Sequence, residues 1–179
     1  MIPGALKALP VSGCGRVVLL PIESADDLEL LRLWKNANRD SFFFKGLLSP
    51  DDQAAWFEGF STRPDDFMFV VVADGRKVGC MGFRKLEDLV DVYNVIRGSP
   101  VQPGRGVMGR ALTAMLRFAS RAYHLPVTAR VLKSNPATQW YLRNDFEVIE
   151  TADDHFVLRW REQDSADASC AWSSPGDRG

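Results

Sequence analysis

Residues 103–122 read PGRGVMGRALTAMLRFASRA, and the fold of the chain turns on how this stretch is understood. Gly104, Gly106 and Gly109 stand close together at its start. Behind them Met108, Ala111, Leu112, Met115, Ala119 and Ala122 recur at three- and four-residue spacing, which predicts a helix with one apolar face. Arg110, Thr113, Arg117 and Arg121 fall on the opposite face. A glycine-rich turn feeding a helix start suits an anion. The first amides have no partner within the helix, the peptide dipoles favour negative charge, and absent side chains let a phosphate approach the backbone. The stretch therefore reads as a cradle for the diphosphate of a cofactor.

Upstream, residues 16–22 (RVVLLPI) form a first strand by composition. Ser24 is placed as an N-cap, with Asp26 and Asp27 in a first turn and Leu28, Leu31 and Trp34 at helical spacing. Ser49, Pro50, Asp51 and Asp52 start a second helix, to which Ala55, Trp56 and Phe60 give an apolar side. Between the two helices, Phe42, Phe43 and Phe44 cannot all face one core, which points some of them at a pocket. Residues 67–72 (FMFVVV) suit a strand covered on both faces, Asp74-Gly75 is a hairpin signal, and residues 77–83 and 89–96 supply two further strands. Downstream of the glycine stretch come a strand at 127–132, a short helix opened by Asn135-Pro136, and a closing hairpin of residues 146–150 and 156–160.

The element order is β-α-α-β-β-β-α-β-α-β-β. It predicts a single α/β domain over residues 16–161, with a mixed, mostly antiparallel sheet of six to seven strands flanked by about four helices. One right-handed crossover is expected around the long helix. Residues 1–15 read as a loose leader, and residues 162–179, rich in Ser, Asp and Gly, as a disordered tail.

Bulk properties narrow the function. The chain has 179 residues, 46% hydrophobic and 25% charged, with a net charge of −1. That balance gives no basis for non-specific attraction to nucleic acid or to anionic membranes. Cys14, Cys80 and Cys170 are few and widely spaced, as in a reducing compartment, and no run is long and apolar enough to span a bilayer. A cytoplasmic protein is expected.

Residues 104–109 also spell G-x-G-x-x-G, the dinucleotide fingerprint. The context opposes a nicotinamide cofactor. Residues 99–103 separate the loop from its strand, several elements precede it, and the downstream TARVLK offers Arg130 where an acid for the ribose is needed. A surface turn before a core helix is the plain alternative.

The second half of the chain decides the matter. A strand, a GxG turn, a long amphipathic helix, another strand and then VLKSNPATQWYLRNDF together resemble the GNAT superfamily of acyl-CoA N-acyltransferases. The resemblance covers roughly residues 16–160 and is most specific at residues 104–112 and 131–146. It implies that backbone amides of Gly104, Arg105, Gly106, Val107, Met108 and Gly109, with Arg110 beside them, hold the diphosphate of acetyl-CoA. It implies further that Val95, Ile96 and Arg97 pair with the pantetheine arm, that Asn135 hydrogen-bonds that arm, and that Tyr141 gives a proton to the departing thiolate. Pro103 and Met108 depart from the family pattern, and Asp145 replaces a glycine, a change that aspartate's tolerance of left-handed backbone allows.

The chemistry implied is direct attack of a neutral amine on a thioester. Asp91, on the strand before the loop, is the candidate base, with Glu87, Asp88 and His155 as alternatives; no metal is called for. His124 reads as structural, a cation at a helix end. Trp34, Asn36, Arg39, Phe42 and Phe43 resemble the acceptor region of GNAT members that acetylate amino sugars, and rings beside polar groups suit a sugar. A peptide or protein amine is the alternative acceptor, and a non-catalytic acyl-CoA sensor the alternative function. A homodimer is compatible with either.

Overall fold

The computed structural model describes residues 7–12, 17–98 and 106–162. In chain order the elements are β1 (Leu9–Pro10), β2 (Val17–Pro21), α1 (Ala25–Ala37), a 3-10 turn (Arg39–Ser41), α2 (Pro50–Ser61), β3 (Asp66–Ala73), β4 (Arg76–Lys85) and β5 (Val90–Arg97). There follow α3 (Val107–Tyr123), β6 (Val127–Leu132), α4 (Thr138–Leu142), β7 (Phe146–Thr151) and β8 (His155–Trp160).

Local chemistry places the early helices. Ser24 caps α1 and exchanges bonds with Asp27, while Ser49 and Asp52 do the same for α2, where Pro50 occupies the first turn. Asp27 also pairs with Lys77 at 2.7 Å, tying the start of α1 to β4. The Asp74-Gly75 turn between β3 and β4 takes left-handed backbone at both residues (φ 49° and 75°), as a two-residue hairpin requires.

The strands form one sheet in the order β1-β2-β3-β4-β5-β6-β8-β7. All neighbours are antiparallel except β5 and β6, which the α3 crossover joins in parallel. The eighth strand lies in the segment expected to be a loose leader. Leu9 and Pro10 pair with Leu19 and Val18, a ladder too short and too proline-bound to leave an alternating pattern in the sequence. The closing hairpin forms as expected, but its second strand is the inner one. That is why Leu158 of β8 is fully buried while most of β7 is exposed.

Both faces of the sheet are covered, and β3 shows it residue by residue. Phe69 and Val71 join the core under α3, with Leu112, Met115 and Leu116. Met68 and Val70 join the core under α1 and α2, with Leu31 and Trp34. His124 ends α3 in left-handed backbone, and Asp145 holds φ 65° before β7, the conformation its glycine-like position demands.

Candidate active site

The site opens where the one parallel pair fails. β5 and β6 are in register only at Val90, Val92 and Asp91 against Val127, Ala129 and Thr128; beyond Val92 no residue of β5 has a partner on β6. A bulge is the cause. Cys80 faces Ile96 and Gly82 faces Tyr93, so Asn94 and Val95 share the space opposite one residue, and Asn94 turns to φ 48°. The extra residue bends β5 away from β6 and leaves its remaining edge unpaired. The resulting cleft has a volume of about 450 Å³, the size of a small-molecule site.

One side of the cleft is backbone, the unpaired edge of β5; the start of α3 lies outside the lining. Gly106 caps α3 in left-handed backbone (φ 85°), and the first amide to find an intrahelical partner is that of Arg110, at 3.0 Å from the Gly106 carbonyl. The amides of Val107, Met108 and Gly109 therefore have no partner within the helix. Gly104 and Arg105 lie outside the described residues. Met108 packs over Gly79, where a Cβ would come within 2.9 Å of its methyl group and 2.4 Å of the Ile96 carbonyl. Gly109 has a packing reason besides any ligand, because a Cβ there would sit 2.6 Å from the Asn144 side-chain oxygen. Val95, Ile96 and Arg97 line the cleft along the unpaired edge.

Tyr141 and Asn135 close this half from the α4 side, and both line the cleft. The Tyr141 ring is buried edge-on against Trp140 (5.2 Å) and Phe146 (5.3 Å), and burial pushes its hydroxyl pKa up, so it keeps its proton. Its hydroxyl makes no hydrogen bond to a described residue. The Asn135 side chain is already engaged: its oxygen accepts from the Ala137 amide at 2.8 Å and its nitrogen donates to the Ser41 carbonyl at 3.1 Å. It pins the α1–α2 connection to the end of β6.

The other half is built from side chains on the α1 and α2 face. Asp91 is buried, with one oxygen accepting two bonds from Arg84, at 3.0 and 2.7 Å. Tyr93 donates to Asp66, and Arg84 lies 5.4 Å from the Tyr93 ring. Lys35 sits 5.5 Å from the Phe42 ring, and Arg130 sits 5.9 Å from the Phe43 ring. Burial pulls the Lys35 pKa down, and burial pushes that of the neighbouring Cys80 thiol up to about 12.

Of the residues expected at the acceptor, Phe42 and Phe43 line the cleft; Trp34, Asn36 and Arg39 do not. Trp34 belongs to the core beneath β5, its ring filling the space a Cβ on Gly98 would need. Asn36 brackets Leu48, accepting from its amide at 2.8 Å and donating to its carbonyl at 2.9 Å, which shapes the α1–α2 connection. Arg39 is exposed on the 3-10 turn. Glu87 and Asp88 are exposed and outside the lining, and His155 contacts Phe43 from outside it. Sequence reading missed Lys35, Arg84 and Tyr93. Arg130 enters the sequence analysis only as the residue where a ribose acid would be needed.

Residues 16–147 match the family model described as the acetyltransferase (GNAT) domain. No curated protein sequence is significantly similar to the chain. Among solved structures, the chain is similar to an acetyltransferase from Salmonella typhimurium that modifies the N-terminal serine of ribosomal protein L7/L12. Identity is 18%, coverage 86% of this chain and 96% of that one, and the TM-score 0.67. It is also similar to FdhC, a nucleotide-linked sugar GNAT (13% identity, 87% and 88% covered, TM-score 0.68). A third is the PaiA N-acetyltransferase of Thermoplasma acidophilum in complex with coenzyme A (14% identity, 82% and 99% covered, TM-score 0.59). The family match runs through both walls of the cleft, and the chain belongs to the GNAT acetyltransferase family as an acetyl-CoA-dependent N-acetyltransferase.

Proposed function

We propose that the acceptor is a primary amine on a small molecule, an amino sugar or nucleotide-linked amino sugar, and that transfer takes place in the cleft between β5 and β6. The observation that carries this reading is a cleft with an unpaired strand edge on one side and rings beside polar side chains on the other. The first fits acetyl-CoA. An unpaired strand edge suits the pantetheine amides, and the helix-start amides of Val107, Met108 and Gly109 suit the diphosphate. The second offers the rings of Phe42, Phe43 and Tyr93 beside Asn38 and Ser41, apolar faces with hydroxyl partners as a sugar needs.

Acetyl-CoA supplies the activated acyl group as a thioester. The main-chain amide of Val95, at the bulge, is the donor for negative charge that develops on the acyl oxygen. Asp91 is the base: among the described lining residues it carries the sole carboxylate, Arg84 fixes one of its oxygens, and the other is left to take the amine proton. Tyr141 holds a proton at its phenolic oxygen for the leaving sulfur, a role suited to a hydroxyl whose burial keeps it protonated. Asn135 positions the cleft wall through Ser41 and Ala137.

A peptide amine is the second reading, favoured by the likeness to the enzyme that acts on an N-terminal serine. Thiol release from acetyl-CoA, followed with separate pools of amino sugars, nucleotide-linked amino sugars and short peptides, tests the choice. Turnover with a sugar pool is expected. Turnover confined to peptides contradicts the sugar reading, and acetyl-CoA binding without turnover on any pool contradicts catalysis.

A further inference from the structure

The charge of the cleft differs from that of the chain. The whole protein has a net charge of −1, yet the described lining holds Lys35, Arg84, Arg97 and Arg130 against the single carboxylate of Asp91. Arg84 is committed to that carboxylate. Among the described residues Lys35 and Arg130 have no carboxylate partner, and each instead lies against one ring of consecutive phenylalanines, Phe42 and Phe43. They come from opposite walls, Lys35 from α1 and Arg130 from β6.

These two cations are on the acceptor's side of the sheet. On β6, Val127, Ala129 and Val131 pack in the core under α3, and strand alternation turns Arg130 to the opposite face. Lys35 belongs to α1, which packs on that same opposite face. The helix-start amides at Val107, Met108 and Gly109 belong to α3, across the sheet. A partly buried ammonium with no counter-charge costs stability unless a ligand supplies the charge. Burial already draws the Lys35 pKa down, as expected of a cation without a partner.

We propose that the acceptor amine carries an anionic group, a phosphate or a carboxylate, which Lys35 and Arg130 bind between the Phe42 and Phe43 rings. The proposal rests on the acetyltransferase reading of the cleft and narrows its acceptor to anionic small molecules. The anion fixes the molecule at the α1–β6 end, so that its amine is directed toward Asp91 and the unpaired edge of β5.

The test is equilibrium binding to the full chain saturated with coenzyme A, using matched amines with and without the anion. Glucosamine 6-phosphate against glucosamine and phosphoethanolamine against ethanolamine probe phosphate; glycine against glycinamide probes carboxylate. In at least one pair the anionic member is expected to bind 10-fold or more tightly than its neutral twin, and the pair that shows it identifies the source. Lys35→Met and Arg130→Met should each cut that preference, taken as the ratio of affinities within a pair, to less than a third. Equal binding within every pair, absence of binding by all anionic members, or a preference that survives both substitutions overturns the proposal. Thiol release is measured separately. An anion preference without turnover would uphold the anion site and sink the acetyltransferase reading instead.

Discussion

The two halves of the cleft are made of different materials. The half assigned to acetyl-CoA is main chain: a strand edge exposed by a bulge, with a helix start capped by a left-handed glycine outside the cleft lining. The half assigned to the acceptor is side chain: Lys35 and Phe42 near α1, Arg84, Asp91 and Tyr93 on two strands, and Arg130 on β6. A main-chain site asks of its residues mainly that they stay out of the way, so it tolerates Met108 where a smaller residue is usual. A side-chain site depends on each residue's identity. Substitution should therefore hurt the first half by adding atoms and the second by removing functional groups.

The largest effect is expected where the halves meet. Tyr141→Phe keeps the ring and its packing but removes the hydroxyl proposed to protonate the leaving sulfur. Steady-state kinetics should show kcat lowered about 100-fold, within the range for general-acid groups, with the affinity for acetyl-CoA unchanged. Full activity in this variant would remove Tyr141 from the chemistry. Next is Gly79→Ala, which adds one methyl group against the Ile96 carbonyl and Met108. Overpacking of this kind costs about 1–3 kcal/mol, read by urea unfolding, and should weaken acetyl-CoA binding because Ile96 lines that half. An unperturbed variant would show that the main-chain half is not tightly built.

Asn36→Leu probes the opposite half from behind. It removes two hydrogen bonds to Leu48, each worth about 0.5–1.5 kcal/mol, and loosens the connection that carries Phe42 and Phe43. The acceptor KM should rise while the acetyl-CoA KM stays constant; equal changes in both would mean that the halves are one unit. The smallest effect belongs to Glu147 on the outer strand β7. Hydrogen bonds from Arg161 and Arg159 hold its carboxyl at about 2, below the ordinary value of 4.5. A depressed folded-state pKa gives stability that is present above 4.5 and lost as pH falls toward about 2. Thermal melts of Glu147→Gln and the parent should differ slightly at pH 7 and converge near pH 2, with both ligand affinities untouched.

The same contrast explains what could be read from sequence. Backbone features leave local signatures: Ser24 and Ser49 announced their helices, Asp74-Gly75 its hairpin, and the glycines of residues 104–109 the start of α3. The bulge at Asn94 left none, because it depends on β4 running past β5 one residue out of step. Lys35 has no local signature either, because its place at the cleft follows from how α1 packs on the sheet. Trp34 and Asn36 were expected to touch the acceptor, since an aromatic and an amide side by side suit a sugar. Packing against Gly98 and bracketing of Leu48 claim them instead.

The central claim is that acetyl-CoA enters between β5 and β6 and lies on the start of α3. Amide hydrogen exchange with and without acetyl-CoA tests it directly. Slowed exchange is expected at residues 93–97 and 107–109, with β1, β2 and β7 unchanged. Protection confined to other parts of the chain, or no protection at a saturating concentration of acetyl-CoA, would contradict the account.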